Sequence, residues 1–365
     1  MAFTQYTNLD FEEIKVSLRE YLRANSNFTD FDFEGSNLSI LIDTLAYNTY
    51  VTAYNTNMVA NESFIDSATL RENIVALARN VGYVPSSRRA STANISFTVD
   101  LGSGTTKSSV TLKAGLVALG DFANTNYTFC TSEDITSPVT DGFAEFTIDI
   151  KQGTFVTNEF VVDTSQPNQK FIIPNPYVDT STLKVQVRDT LTSSSRKTYS
   201  QIDNIVGIST HSETFLIQEI QDEKYELLFG DGVLGKRLSN GNVINSTYIV
   251  TDGVGGNGVS NFSFAGKLVD NDGGLITSGI SDIITNQRSS NGAEVESIDT
   301  IRNLSPRVYS AQHRAVTAND YEAIIPTIFP NVESVTAYGG EDSSPPQYGQ
   351  VFLSIKPKNG RFISD

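Results

Sequence analysis

The sequence has no tryptophan, one cysteine, two histidines and two methionines in 365 residues. Each scarcity removes a class of chemistry. Cys130 alone makes no internal disulfide, so folding does not depend on one. In the strand-like segment NYTFCTS it reads as a small buried hydrophobe rather than a reactive thiol. His211 and His313 lie about a hundred residues apart, and with one cysteine they write no zinc-type cluster. Neither sits in the elbow context of a Ser/His/Asp triad. His313, in YSAQHRAVT, reads as a solvated or interface position. The Asp-rich turns offer oxygen ligands, but none has EF-hand spacing. No cofactor and no metal are expected.

Positive charge is scarce too. Lys and Arg number 26 against 42 Asp and Glu, a formal net charge of −16. A chain this acidic is repelled by phosphate backbones and anionic lipid, which argues against nucleic-acid and membrane-surface partners. The basic pairs Arg88 with Arg89 and Lys236 with Arg237 are too short to reverse this. No window holds 18 predominantly apolar residues, so no membrane span is expected. MAFTQYTNLD has neither a basic n-region nor an apolar h-region and is not a secretory signal. A protein folded in a cytoplasm is the expectation.

What is present begins with a misleading motif. GDGVLG, inside YELLFGDGVLGKRLSNGNVINSTYIV, fits G-x-G-x-x-G, and Asp252 follows about twenty residues on, as a dinucleotide site would require. Such a site needs a helix opening at the third glycine to hold the pyrophosphate. Ser239, Asn240 and Gly241 instead give a hairpin signal, and Val243 to Val250 are rich in strand formers. Phe229, Gly230, Asp231, Gly232 and Gly235 therefore read as a structural turn, with Gly230 and Gly232 supplying positive φ.

Three regions follow from the patterning: residues 1–89 helical, 90–290 β-rich, and 291–365 a mixed unit. The fold class is α+β multidomain, with an N-terminal helical bundle segment, a central mainly antiparallel β domain and a C-terminal α+β unit. Asp10 and Glu13 form a D-x-x-E capping box. Phe11, Ile14, Leu18, Tyr21 and Leu22 then mark one face of a helix to about Arg23. A longer helix runs from Leu38 to Asn61. A third starts near Asp66, carries Leu70, Ile74, Leu77 and Val81, and stops at Gly82. In the β region ANISFTVDL alternates cleanly, and VTLKA, NYTFCTS, AEFTIDIKQGTFVTNEFVV, KFIIP, LKVQVRD, ETFLIQEI, KYELLF and VINSTYIV are further strands. Near the end, EVESIDTIRNL is a helix stopped by Pro306, and Thr317 with Asp320 caps the helix NDYEAII. VESVTAYGG and GQVFLSIKP are two strands joined by an exposed loop. This last unit looks unfinished, so either the chain is a fragment or a partner completes it.

The second helix is the informative one. Leu38, Leu41, Leu45, Asn48, Thr52, Asn55 and Val59 lie along one seam; Ile40, Tyr47, Val51, Tyr54 and Met58 lie along another. Asp43 is the only charge between Leu38 and Asn61. A surface helix ordinarily has a charged face, so this one is expected to be covered all round. Two short neighbours cannot cover about 36 Å of helix. Either the β region covers the remainder or helices of other chains do. Asn48 and Asn55, seven apart, are residues that fix register in a helix bundle.

The segment FEGSNLSILIDTLAYNTYVTAYNTNMVANESFIDSATLRENIVALARNVGYVP resembles the N-terminal part of the large baseplate wedge subunit of T-even-type contractile-tailed phages. YELLFGDGVLGKRLSNGNVI, and later SPRVYSAQHRAVTANDYEAII with GQVFLSIKP, resemble the wider baseplate J-like family. The resemblance implies a structural virion protein, not an enzyme, in the baseplate ring around the tail tube. It implies two copies paired in each wedge, contacts between wedges that close the ring, and rearrangement on tail contraction. It also implies a core bundle shared with another wedge protein and a small sheath-initiating protein docked nearby. On this sequence the bundle interface would fall on Leu38, Leu41, Leu45, Asn48, Val51, Tyr54, Asn55 and Met58. Family members continue past the last strand here, so the between-wedge contact is not located. Two other classes remain open from the residues. A carbohydrate-binding tail adhesin suits the Ser/Thr/Asn-rich β region but lacks tryptophan platforms. A glycoside hydrolase could draw on Asp231, Glu219 and Asp222, which sequence alone does not set across a cleft.

Overall fold

The computed structural model describes residues 5–7, 9–24, 37–202, 207–312, 314–329 and 332–358. The chain divides into two compact units, Met1–Val81 with Ile298–Ser305, and Gly82–Ser297 with Pro306–Asp365. Residues 291–365 thus fall on both sides of the division.

In the first unit, helix α1 spans Phe11–Arg23. Its N-terminus is capped by Asp10, whose carboxylate accepts from the backbone N–H of Glu12 and Glu13 at 2.9 and 3.1 Å. Phe11, Ile14, Leu18 and Leu22 form its half-buried stripe. Tyr21, expected on that face, is 72% exposed, because it lies at the margin of the stripe, about 100° round the helix from Leu22. Helix α2 spans Asn37–Glu62 and α3 spans Arg71–Asn80. The expected start of α3 at Asp66 is five residues early. The true start is set by a distant residue, since Glu62, at the end of α2, accepts from Thr69 N (2.8 Å), Thr69 Oγ1 (2.6 Å), Leu70 N (3.3 Å) and Asn73 Nδ2 (2.8 Å). A carboxylate clamped on the first free amides does for α3 what its own N-cap, Leu70, cannot. Ile74, Val75 and Ala78 are buried, while Leu70 is half exposed.

Helix α4 spans Ile298–Ala311. It was expected over 294–304, ending before Pro306, and both ends differ. Residues 294–297 are not helical. Pro306 lies inside the helix, and Ile301, Ser305 and Ala311 are buried on either side of it. One lost intrahelical N–H and a ring clash cost about 3 kcal/mol, and burial of the apolar Ile301 and Ala311 side chains works against that cost. Within the first unit the Arg302 guanidinium binds the carbonyls of Ile65 and Ala68 at 3.1 and 2.8 Å and pairs with Asp299. It ties α4 to the turn before α3.

The second unit is built from antiparallel sheets. Its strands begin with β1 (Thr92–Asp100), β2 (Ser109–Leu112), β3 (Gly115–Phe122), β4 (Thr125–Thr131), β5 (Ile135–Thr140) and β6 (Phe143–Gln152). There follow β7 (Thr154–Val161), β8 (Phe171–Ile172), β9 (Val178–Arg188), β10 (Arg196–Gln201), β11 (Thr214–Glu219), β12 (Tyr225–Phe229) and β13 (Val243–Val250). The last of the region are β14 (Asn261–Phe264), β15 (Leu268–Asp270), β16 (Leu275–Ile276) and β17 (Ile284–Ser290). One sheet has the order β14-β3-β4-β6-β5-β2-β15-β16, with β1 paired to β6 and β17. The other runs β7-β13-β9-β10-β11-β12-β8. Among the described strands only β10 and β11 pair in parallel. Ile95, Phe97 and Val99 of β1 turn inward as their alternation requires, and Phe97 stacks on Phe146 with ring centroids 5.0 Å apart. The second sheet keeps a separate core around Tyr248, Val185, Ile217 and Leu227. After α4, helix α5 (Ala318–Ile328) opens on a reciprocal capping box between Thr317 and Asp320 and packs on the hairpin of β18 (Val332–Gly339) and β19 (Val351–Pro357).

The glycine corner follows β12. Phe229 ends the strand in an aromatic cluster, its ring centroid 5.7, 5.8 and 6.3 Å from those of Phe171, Tyr199 and Phe215. Asp231 Oδ1 then accepts from Val233 N and Leu234 N at 2.8 and 2.9 Å, and Gly232 N donates to Gly235 O at 3.1 Å. Gly232 and Gly235 have φ of +93° and +84°. Gly230, expected to share positive φ, does not; the chain needs glycine there because a Cβ would stand 2.3 Å from the carbonyl carbon of Gly235. No helix lies between Gly235 and β13, so a pyrophosphate would meet no helix terminus.

Two predictions concern these local devices. Gly230→Ala should destabilise the chain by about 1–3 kcal/mol through overpacking, and Gly232→Val by about 1–3 kcal/mol through backbone strain. Urea midpoints measure both, and a Gly230→Ala variant as stable as the wild type would contradict the close-approach account. Glu62→Gln should cost about 1 kcal/mol at neutral pH, the worth of a helix cap. Burial raises the Glu62 carboxyl, but the bonds from Thr69, Asn73 and Leu70 outweigh it and hold the group below its ordinary 4.5. The folded chain therefore binds fewer protons here than the unfolded one. The stabilisation is complete above the unfolded value and fades as pH falls through the lower folded value. The wild-type advantage over Glu62→Gln should accordingly disappear in acid.

Candidate interaction site

Helix α2 has a buried stripe, and it is not the one the apolar spacing suggested. Ser39, Ile42, Ala46, Asn57 and Asn61 are buried, with Tyr50 and Ala53 half-buried between them. These positions follow one another at spacings of three and four, so they share a face. Small residues dominate it, which lets α1 approach closely. The only charge of the helix interior, Asp43, lies at the edge of this stripe and pairs with Lys15 of α1 at 2.6 Å.

Asn57 anchors a strap that the sequence did not announce. Its Oδ1 accepts from Tyr6 N and Thr7 N at 2.7 and 3.1 Å, and its Nδ2 donates to Thr7 Oγ1 at 2.6 Å. Thr7 Oγ1 in turn donates to Ala53 O at 3.1 Å. An asparagine spent on both sides is a satisfied buried polar group. Its place in the Ala46, Ala53 spacing is the signal that could have found it.

The predicted interface residues lie elsewhere on the helix. Leu41, Leu45 and Tyr54 are 56%, 55% and 49% exposed. Asn48 and Asn55 are exposed, and Leu38, Val51 and Met58 are half-buried. The expectation that α2 is covered all round is therefore not met within this chain. Ile40, Tyr47 and Val59 are exposed as well, so two apolar seams stand open side by side. The asparagines at 48 and 55 fix no register inside the chain; Asn57 and Asn61 are the buried ones.

This open surface is drier than its composition suggests. Thr44, Thr49, Thr52 and Thr56 each donate their hydroxyl to the carbonyl four residues back, at 2.8 to 2.9 Å. A threonine bonded this way spends its donor on its own helix and leaves a methyl outward. About half of the helix circumference thus stands open without a charge, apolar apart from the amides of Asn48 and Asn55 and the tyrosine hydroxyls.

The other candidates of the sequence are inert in place. Cys130 is buried, and burial pushes its thiol up to about 12. His211 Nδ1 meets Thr210 Oγ1 at 2.9 Å in an exposed turn; His313 lies outside the described residues. Asp270 and Asp272, in the most cation-like turn, hold Lys107 Nζ at 2.8 and 2.6 Å. Among the described residues no group of three His, Cys, Asp or Glu is placed to hold a metal ion. No helix among them is long and apolar enough to cross a membrane. Asp231 is exposed and engaged with its own loop, while Glu219 is buried in β11.

A family model for the helical domain of gp6-like baseplate wedge proteins matches residues 10–83. A second, for C-terminal domain I of the baseplate structural protein gp6, matches residues 317–365. The baseplate wedge protein gp6 of Enterobacteria phage T4 is 30% identical over 376 residues, covering 97% of this chain and 54% of that protein. The chain thus spans about half the length of this relative. Among solved structures, the baseplate of the anti-feeding prophage, determined by cryo-EM with six-fold symmetry, covers 88% of this chain and 57% of its own at 14% identity and a TM-score of 0.31. Matched in order at both ends, and aligned along nearly its whole length to a baseplate wedge protein, the chain carries the helical domain and the C-terminal domain I of gp6-like phage tail baseplate wedge proteins.

Proposed function

We propose that the chain is a structural, non-enzymatic subunit of a phage tail baseplate wedge, carried in the virion and assembled in the host cytoplasm. It works by packing the open seams of α2 against helices of other wedge chains. The observation that carries this reading is the exposed, uncharged half of α2, with its threonine hydroxyls turned back onto the helix. Burying that surface is favourable by about 25 cal/mol for each Å² removed from water. A helix in that groove would meet few polar side chains needing a new partner, chiefly the exposed amides of Asn48 and Asn55. Leu38, Leu41, Leu45, Asn48, Val51, Tyr54, Asn55 and Met58 form the contact, and in a bundle Asn48 and Asn55 can set register.

The occupants follow from the family. One is a second copy of the chain within the wedge, and another is a different wedge protein contributing a bundle helix. A small sheath-initiating protein docks nearby. Contacts between wedges close the ring around the tail tube, and they rearrange when the tail contracts.

Leu45→Asp is the discriminating variant. Leu45 is 55% exposed in the isolated chain, so the substitution should leave the melting temperature of the monomer within a degree or two. In the assembly the carboxylate would be buried without a partner, so self-association and co-purification with the other wedge proteins should be lost. Light scattering and pull-down of folded Leu45→Asp measure this; intact assembly would refute the bundle role of α2.

A further inference from the structure

A cavity of about 560 Å³ lies within the second unit, and the assembly role of α2 makes no use of it. That is the size of an ordinary small-ligand site. One wall is apolar, formed by Val84, Pro85, Ile217, Ile324 and Ile328. The opposite chemistry comes from Arg89 and Gln201, with the hydroxyl-bearing segments 86–87 and 180–181 between them. Among the described residues Arg89 is the only charged one in the lining.

The carboxylates nearby are already engaged. Asp179 Oδ1 accepts from Ser181 N and Oγ at 3.0 and 2.6 Å, and its Oδ2 accepts from Ala90 N at 2.9 Å. Glu296 accepts from the Tyr83 hydroxyl at 2.5 Å and from Ser86 N at 2.9 Å. Among the described residues the Arg89 guanidinium makes neither an ion pair nor a hydrogen bond, and the Gln201 carboxamide makes none either. Burial disfavours the charged guanidinium, and the attraction of Asp179 offsets only part of that. A planar five-donor fork left short of an acceptor beside an apolar wall calls for a group that is anionic at one end and greasy at the other.

We propose that this cavity docks the C-terminus of a protein chain whose last residue is apolar. The terminal carboxylate is taken by Arg89 and the last peptide group by Gln201. The final side chain rests on Ile217, Ile324 and Ile328. Charge complementarity selects a free carboxylate, and the depth of the apolar wall selects leucine, isoleucine or phenylalanine over a charged end. The proposal does not rest on the role assigned to α2.

The test uses the full 365-residue chain and a fluorescent-labelled tetrapeptide ending in leucine, as free acid and as amide. The acid should bind, and the amide should bind about tenfold more weakly or worse. Arg89→Gln should abolish the preference for the acid while the thermal melt stays cooperative. Ile328 is 70% exposed at the rim, so Ile328→Asp cannot harm folding and should weaken the acid by a similar factor. Equal binding of acid and amide, or no binding at millimolar peptide, would overturn the proposal. So would octanoate displacing the peptide at equal concentration, which would make the site one for a small amphiphile. Failure of Leu45→Asp to block assembly leaves these measurements unaffected.

Discussion

The length mismatch between two neighbouring helices governs the first unit. Helix α1 has 13 residues and α2 has 26, about 20 Å against about 39 Å. A short helix lies along one face of a long one and cannot sheath it. The buried face of α2, shared between α1 and the strap at Tyr6 and Thr7, is made of small and amide residues, Ser39, Ala46, Asn57 and Asn61, with only Ile42 as a large aliphatic. The larger apolar side chains, Leu41, Leu45, Tyr47 and Val59, are on the faces left open. A helix that evolved to be stable alone would be arranged the other way round, with leucines in the intrachain seam. The placement of bulk on the outside is the feature on which the proposed assembly role of α2 rests.

How the polar residues of α2 are used sharpens this. The polar groups facing inward are committed to neighbours: Asn57 to the strap at Tyr6 and Thr7, and Asp43 to Lys15. The hydroxyls facing outward are committed to the helix itself. The outward amides of Asn48 and Asn55 are the exception, so an incoming helix displaces water from the open seams with those two side chains as the donors it must pair.

Sequence periodicity made the element types and the α+β class legible, because alternation in ANISFTVDL and the 3–4 spacing after Asp10 are local signals. It failed where the deciding partner is distant in the chain. The start of α3 depends on Glu62, and the buried Asn57 depends on Tyr6 and Thr7. Strands β3, β5, β10 and β14 to β17 are absent from those expected from sequence, the first three for a related reason. Gly115 and Gly120 in β3, Pro138 in β5 and the charged start of β10 all lower intrinsic strand preference, and tertiary pairing with β4, β6 and β9 overrides it. At the glycine corner the turn itself was readable, but the reason for Gly230 was not. Close approach of Gly235 is a property of the folded loop rather than of either residue.

The two β cores bear on how α2 can be used. The first sheet closes around Phe97, Phe129 and Phe146, the second around Tyr248, Phe215 and Leu227, and both clusters are drawn entirely from the second unit. Neither core includes a residue of α2. Folding of the β region therefore makes no demand on the open seams, and those seams make no contribution that folding would protect. A surface so apolar, kept without a folding role and without charge to keep copies apart, is retained at the cost of aggregation unless a fixed partner covers it.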